Sequence, residues 1–224
     1  MVCVVTGATG GIGRSTAVAL ASRGAKLVVS GRNVERLEDI RDETGGISVA
    51  GDVTLEGFPE QLFASAPSGE LSAVFAAGVA HFGPTLEMPE SAWKEMIEAN
   101  LCGLYRCCLA AVSEMLRRGG GHILAVLSIA SVEPFAQSAA YVASKYGGLG
   151  LIKSFAAEFR GKGIQFTAFM PGSTNTELWR GAQSPKKENM LAPADVGMAI
   201  ADILLSRAKG YYDEVIYMPP KGIL

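Results

Sequence analysis

Histidine and cysteine are scarce, with two and four in 224 residues. Cys3, Cys102, Cys107 and Cys108 show no Cys-x-x-Cys or Cys/His spacing, and His81 and His122 lie far apart. That pattern argues against a metal centre or a disulfide framework, and the cysteines read as small core hydrophobes in a reducing compartment. Excess charge is missing too. A formal net charge of -2 supplies no basic field for nucleic acid or anionic lipid, so neither partner is expected. No apolar run reaches the roughly 18 residues needed to span a bilayer, and Met1 to Gly7 lacks the basic segment of a secretory leader. A cytoplasmic protein is expected. Repeats, linkers and low-complexity tracts are also lacking, so residues 1–224 are expected to form a single domain.

What is present is a regular alternation. Short apolar, β-branched runs at 2–5, 26–30, 47–50, 73–76, 122–127, 164–169 and 214–218 predict strands. Amphipathic stretches at 12–23, 34–43, 59–66, 89–117, 139–161 and 194–206 predict helices. Strands followed in turn by helices imply an α/β, Rossmann-like doubly wound parallel sheet of about seven strands with helices on both faces. Continuous apolar runs suit parallel strands buried on both sides.

The first strand runs into Thr6-Gly7-Ala8-Thr9-Gly10-Gly11-Ile12-Gly13, with a helix behind it. Glycines there allow a tight turn and close backbone approach, and the helix start aims unpaired N–H groups at anionic oxygens, as a dinucleotide pyrophosphate requires. No Gly-Lys-Ser/Thr follows, which disfavours a nucleoside triphosphatase. The second strand ends in Ser30-Gly31-Arg32-Asn33 without an acidic residue to repel a 2′-phosphate, and Arg32 offers a cationic fork, so NADP(H) is favoured over NAD(H). Asp52, closing the third strand, can accept from an adenine amino group or simply serve the turn.

Tyr141 and Lys145 stand one helical turn apart in a segment of helical character, so both project from one face. An ammonium near a phenol stabilises phenolate and lowers the tyrosine pKa toward working pH, as a general acid/base needs. Alone, the pair is a weak signal.

Other motifs stand around it in a fixed order. Thr6-Gly7-x-x-x-Gly11-x-Gly13, Asp52-Val53, Asn100 in Asn-Leu-Cys-Gly, Ser128, Tyr141-x-x-x-Lys145 and Pro171-Gly172-x-x-x-Thr176 follow one another along the chain. Across essentially its whole length the sequence resembles the short-chain dehydrogenases/reductases. The resemblance implies hydride transfer between a nicotinamide cofactor and a carbonyl or alcohol substrate. Gly7, Thr9, Gly11, Ile12 and Gly13 would hold the pyrophosphate, Asp52 and Val53 the adenine, and Ala77 and Gly78 would line the cofactor cleft. Tyr141 would move the proton, Lys145 would hold the nicotinamide ribose, Ser128 would position the substrate oxygen, and Asn100 would hold a water linking Lys145 to solvent. Pro171, Gly172, Thr174 and Thr176 would orient the carboxamide.

Two departures from the family pattern stand out. Phe75-Ala76-Ala77-Gly78 replaces the usual Asn-Asn-Ala-Gly, removing amides that brace the central strand, and Gly10 stands where NADP(H)-preferring members often carry a basic residue. The polar stretch 177–191 is either a substrate lid or a solvated loop. Phe82, Phe135, Met170 and Trp179 are expected as pocket bulk, suiting a medium-sized, partly apolar carbonyl compound; oxoacyl thioesters, sugars, steroids and simple ketones remain open. The resemblance further implies a homodimer or homotetramer pairing the long helices 89–117 and 139–161. Competing readings are an extended family member acting on nucleotide sugars, disfavoured by the short region after Thr176, and a dinucleotide sensor without catalysis, disfavoured by the intact Asn100, Ser128, Tyr141 and Lys145 set.

Overall fold

The computed structural model describes residues 1–179, 185–206 and 210–222. Strands β1 (Val2–Thr6), β2 (Lys26–Gly31), β3 (Ile47–Ala50), β4 (Leu71–Phe75), β5 (Gly121–Val126), β6 (Ile164–Pro171) and β7 (Glu214–Tyr217) form one parallel sheet. Their order is β3-β2-β1-β4-β5-β6-β7, so the chain reverses direction of travel between β1 and β4. A crevice opens at such a switch point, at the carboxyl ends of the strands.

Side chains alternate along each strand, which divides the core in two. Val2, Val4, Val28, Ile123, Phe166 and Ala168 face α3 (Phe58–Ala64), α5 (Gly103–Arg118) and α6 (Ala139–Phe159). Cys3, Val5, Val29, Leu124, Val126 and Phe169 face α1 (Gly11–Ala21), α2 (Val34–Thr44) and α7 (Pro193–Leu205). Burying each large apolar side chain contributes about 1.5–3 kcal/mol, which favours covering both faces. α1 and α7 cross so closely that a Cβ on Gly197 would lie 2.5 Å from the Ser15 backbone carbon. The thiols of Cys3 and Cys107 are pushed up to about 12 by burial, which makes them inert packing groups. Among the described residues no helix is long and apolar enough to cross a membrane.

The predicted helix 89–117 is the main discrepancy. It divides into α4 (Glu90–Ile97), a π-helical stretch over Glu98–Cys102, and α5. The stretch carries Asn100, whose buried side chain leaves the helix to grip the Val79 backbone. Such a bulge inserts a residue and turns the helix face at a functional position. The predicted helix 139–161 ends instead at Phe159, followed by a 3₁₀ turn at Arg160–Lys162 and then Gly163 at φ +83°.

Candidate active site

The cleft at the switch point has a volume of about 830 Å³ and runs from Arg32 to Trp179. At one end, Gly7, Thr9, Gly10, Gly11, Ile12 and Gly13 line it. Gly7 sits at φ +67°, and a Cβ there would lie 2.6 Å from the Ala77 nitrogen, so only glycine fits. A Cβ on Gly13 would lie 2.3 Å from the Gly7 oxygen. The first turn of α1 has no acidic residue and its cap, Gly10, supplies no side chain, leaving the helix N–H groups and dipole to meet an anion. These features fit the pyrophosphate of a dinucleotide.

Arg32, Asn33 and Arg36 stand at the end of β2 and the start of α2, all lining the cleft. Asn33 caps α2 by accepting from the Arg36 backbone N–H at 2.9 Å. Arg32 is exposed and only loosely paired, 3.7 Å from Asp52. One oxygen of Asp52 accepts from the backbone and hydroxyl of Thr54 at 3.0 and 2.9 Å, so the carboxylate does serve the turn. It nevertheless lines the cleft beside Val53.

At the other end, β5 stops at Val126 and Ser128 begins a short turn, accepting from the Ala130 N–H at 3.1 Å. Accepting that bond leaves the hydroxyl proton to reach the Tyr141 oxygen, with which Ser128 shares a hydrogen bond. Tyr141 and Lys145 project from the first turns of α6 and are both buried. Lys145 Nζ lies 5.6 Å from the Tyr141 ring centroid and donates to the Val126 carbonyl at 3.3 Å.

The expectation of a depressed tyrosine needs correction: burial pushes the Tyr141 phenol above its usual value, opposed by a hydrogen bond with Ser128. Burial also brings Lys145 down to about 8 by desolvating its ammonium. Asn100 touches this group indirectly. Its amide exchanges hydrogen bonds with Val79 N and O at 2.8 and 2.9 Å and donates to Ser144 Oγ at 3.0 Å. Ser144 donates in turn to the Tyr141 carbonyl at 2.7 Å, so Asn100 ties the loop after β4 to the first turns of α6.

Pro171 ends β6 and Gly172 follows it, both buried, and the Thr174 hydroxyl donates to the Gly172 carbonyl at 3.0 Å. Thr176 presses its methyl on the phosphate loop: a Cβ on Gly11 would lie 2.5 Å from it. Its hydroxyl accepts from Leu178 N at 3.4 Å. Of the polar stretch 177–191, residues 180–184 lie outside the described residues. The remainder forms 3₁₀ turns at Glu177–Trp179 and Lys187–Asn189, and is pinned where Leu191 bridges to Thr174.

A family model described as short chain dehydrogenase matches residues 1–187. The chain belongs to the short-chain dehydrogenase family. It is similar to the 3beta-hydroxysteroid dehydrogenase of Mediterraneibacter gnavus, 36% identical over 205 residues that cover 88% of this chain and 74% of that one. It is also similar to the D-threitol dehydrogenase of Mycolicibacterium smegmatis, 34% identical over 186 residues covering 79% and 71%. Among solved structures, the closed form of serine dehydrogenase complexed with NADP+ matches with a TM-score of 0.90 at 26% identity, covering 100% of this chain and 97% of that one.

As a short-chain dehydrogenase the chain departs from the usual pair of amides at Phe75 and Ala76. Ala76 follows β4 where an amide was expected, and its N–H donates to the Thr6 carbonyl at 3.2 Å. The Thr6 hydroxyl is buried without a hydrogen-bond partner. Met170, expected as pocket bulk, is instead in the core under α5 and α6, because it points to the sheet face opposite Phe169. Met218 lines the cleft in its place. Arg36 and Glu95 line the cleft without having been expected there, whereas His81 and Glu177 fall in the segments 80–84 and 169–191 expected to line the pocket. Arg36 stands three residues after its cap Asn33, in the first turn of a helix opening on the cleft, and was findable. Glu95, bonded to His81 at 2.8 Å, carries no local signal.

Proposed function

We propose that this short-chain dehydrogenase is an alcohol dehydrogenase/carbonyl reductase, using NADP(H) in preference to NAD(H), with Tyr141 as its general acid/base. The convergence of the Tyr141 and Ser128 hydroxyls and the Lys145 ammonium in one cleft with the glycine loop carries this reading. A nicotinamide bound in the cleft supplies hydride to the carbonyl carbon or takes it from the alcohol.

In the reducing direction, Tyr141 donates its phenolic proton to the carbonyl oxygen as negative charge grows there. Its raised pKa keeps that proton in place at neutral pH. Ser128 donates a hydrogen bond to the same oxygen and fixes its position. The positive charge of Lys145 stabilises the phenolate left behind, and the same ammonium holds the nicotinamide ribose. Asn100 acts as a positioning residue through Val79 and Ser144. Ala77, Gly78, Pro171, Gly172, Thr174 and Thr176 wall the nicotinamide end, and Asp52 and Val53 the adenine end. Arg32 and Arg36 suit a 2′-phosphate, in keeping with the NADP+ of the serine dehydrogenase structure.

Tyr105, Leu109 and Leu116 are exposed at helical spacing on α5, with Tyr146 exposed on α6. That apolar surface supports association of copies into a homodimer or homotetramer. Consumption of NADPH and NADH with a panel of ketones tests the reading. Oxidation of NADPH dependent on ketone supports it, and absence of turnover across the panel in both directions overturns it.

A further inference from the structure

Proton transfer needs only Tyr141, Ser128 and Lys145, yet the substrate half of the cleft carries an aromatic cluster besides. Trp179 stacks on Phe82 with centroids 5.1 Å apart and planes 22° from parallel. Phe82 also meets Tyr141 edge-on at 5.4 Å and Phe135 at 5.9 Å. These rings come from three separate segments, after β4, β5 and β6, so no single periodicity produces the cluster. Trp179 is held in place, since its Nε1 donates to the Thr174 carbonyl at 3.1 Å.

Charge lies elsewhere. Among the described lining residues the arginines and lysines are Arg32 just after β2, Arg36 in the first turn of α2, and the buried Lys145. On the substrate side stand His81 and Glu95, each the other's partner at 2.8 Å. Among the described residues a phosphorylated substrate would find no free cation there, and one hydroxylated on every side would lose water against aromatic faces without replacement hydrogen bonds.

We infer that Phe82 and Trp179 determine specificity, selecting a flat, largely apolar ring ketone or the corresponding ring alcohol; this rests on the hydride-transfer reading above. A flat ring gains stacking against either side chain. A flexible chain of equal carbon number loses rotor freedom on entering the same space and gains no stacking.

The test compares 2-tetralone with 2-decanone, which have the same number of carbons, using NADPH and the full chain. The wild type should prefer 2-tetralone in kcat/KM by about tenfold or more, and Trp179→Ala and Phe82→Leu should each reduce the ratio to about twofold. In a Trp93→Phe background, where Trp179 is the only tryptophan, 2-tetralone should quench its emission and 2-decanone should not. Equal or better use of 2-decanone, or an unchanged ratio in both variants, overturns the inference and leaves the hydride-transfer reading intact. Quenching by 2-tetralone without turnover of either ketone sinks the hydride-transfer reading and keeps the aromatic site. If neither ketone is bound or consumed, the inference falls, and the hydride-transfer reading is decided by the wider panel.

Discussion

Arg36 and Glu177, 141 positions apart, meet across the mouth of the cleft, where the guanidinium donates to both carboxylate oxygens at 2.8 and 3.1 Å. The first belongs to the ribose end and the second to the turn that carries Trp179. A 2′-phosphate and Glu177 would therefore compete for one guanidinium. Glu177→Gln should tighten NADPH roughly threefold, the scale of an exposed ion pair, and leave NADH unchanged. Fluorescence titration of both cofactors checks this, and looser NADPH binding would refute the competition.

Arg32 is exposed, and its loose pairing with Asp52 leaves it free to turn toward a phosphate. Arg32→Asp should lower the NADPH/NADH ratio of kcat/KM by about 10–100-fold, the range for charge-assisted hydrogen bonds to one anion. An unchanged ratio would place cofactor discrimination elsewhere.

Thr6 marks a weakness in β1, because its hydroxyl is buried without a hydrogen-bond partner. Thr6→Val should replace that hydroxyl by a methyl group and raise unfolding stability by about 1 kcal/mol, read from urea midpoints. A lower midpoint would mean that the hydroxyl is satisfied in the folded chain.

His122, buried at the start of β5, bonds through Nε2 to Thr167 Oγ1 at 2.8 Å, and burial lowers its pKa from 6.5 to about 4. Above pH 6.5 both folded and unfolded forms are neutral. Below it the unfolded chain takes up a proton that the folded chain refuses until about pH 4. Stability should therefore fall through that window by roughly 2–3 kcal/mol, and His122→Asn should flatten the fall. Urea midpoints across pH 7 to 4 test it, and identical slopes in both proteins would show that other groups set the acid sensitivity.

The sheet was legible because parallel strands buried on both faces appear as apolar runs: β3 matches its predicted limits and the other strands shift by only one or two residues. The glycine loop was legible for a related reason, since the backbone at Gly7 and Gly13 admits only glycine. The π-helical stretch at Asn100 was not. It arises from a clamp on Val79, a contact between distant segments that leaves no mark on local periodicity. Met170 was misplaced because a β6 strand covered on both faces has no polar alternation to show which side each residue takes. The Arg36–Glu177 pair and the Phe82–Trp179 stack likewise join loops that only the fold brings together.

The central claim is that the buried Tyr141 hydroxyl moves the proton, and removing that oxygen alone tests it most directly. Tyr141→Phe should bind NADPH as tightly as the wild type and lose about 10²–10⁴-fold in kcat for the ketone that the wild type reduces best. A variant that binds NADPH and keeps kcat within a few-fold of the wild type would contradict the account.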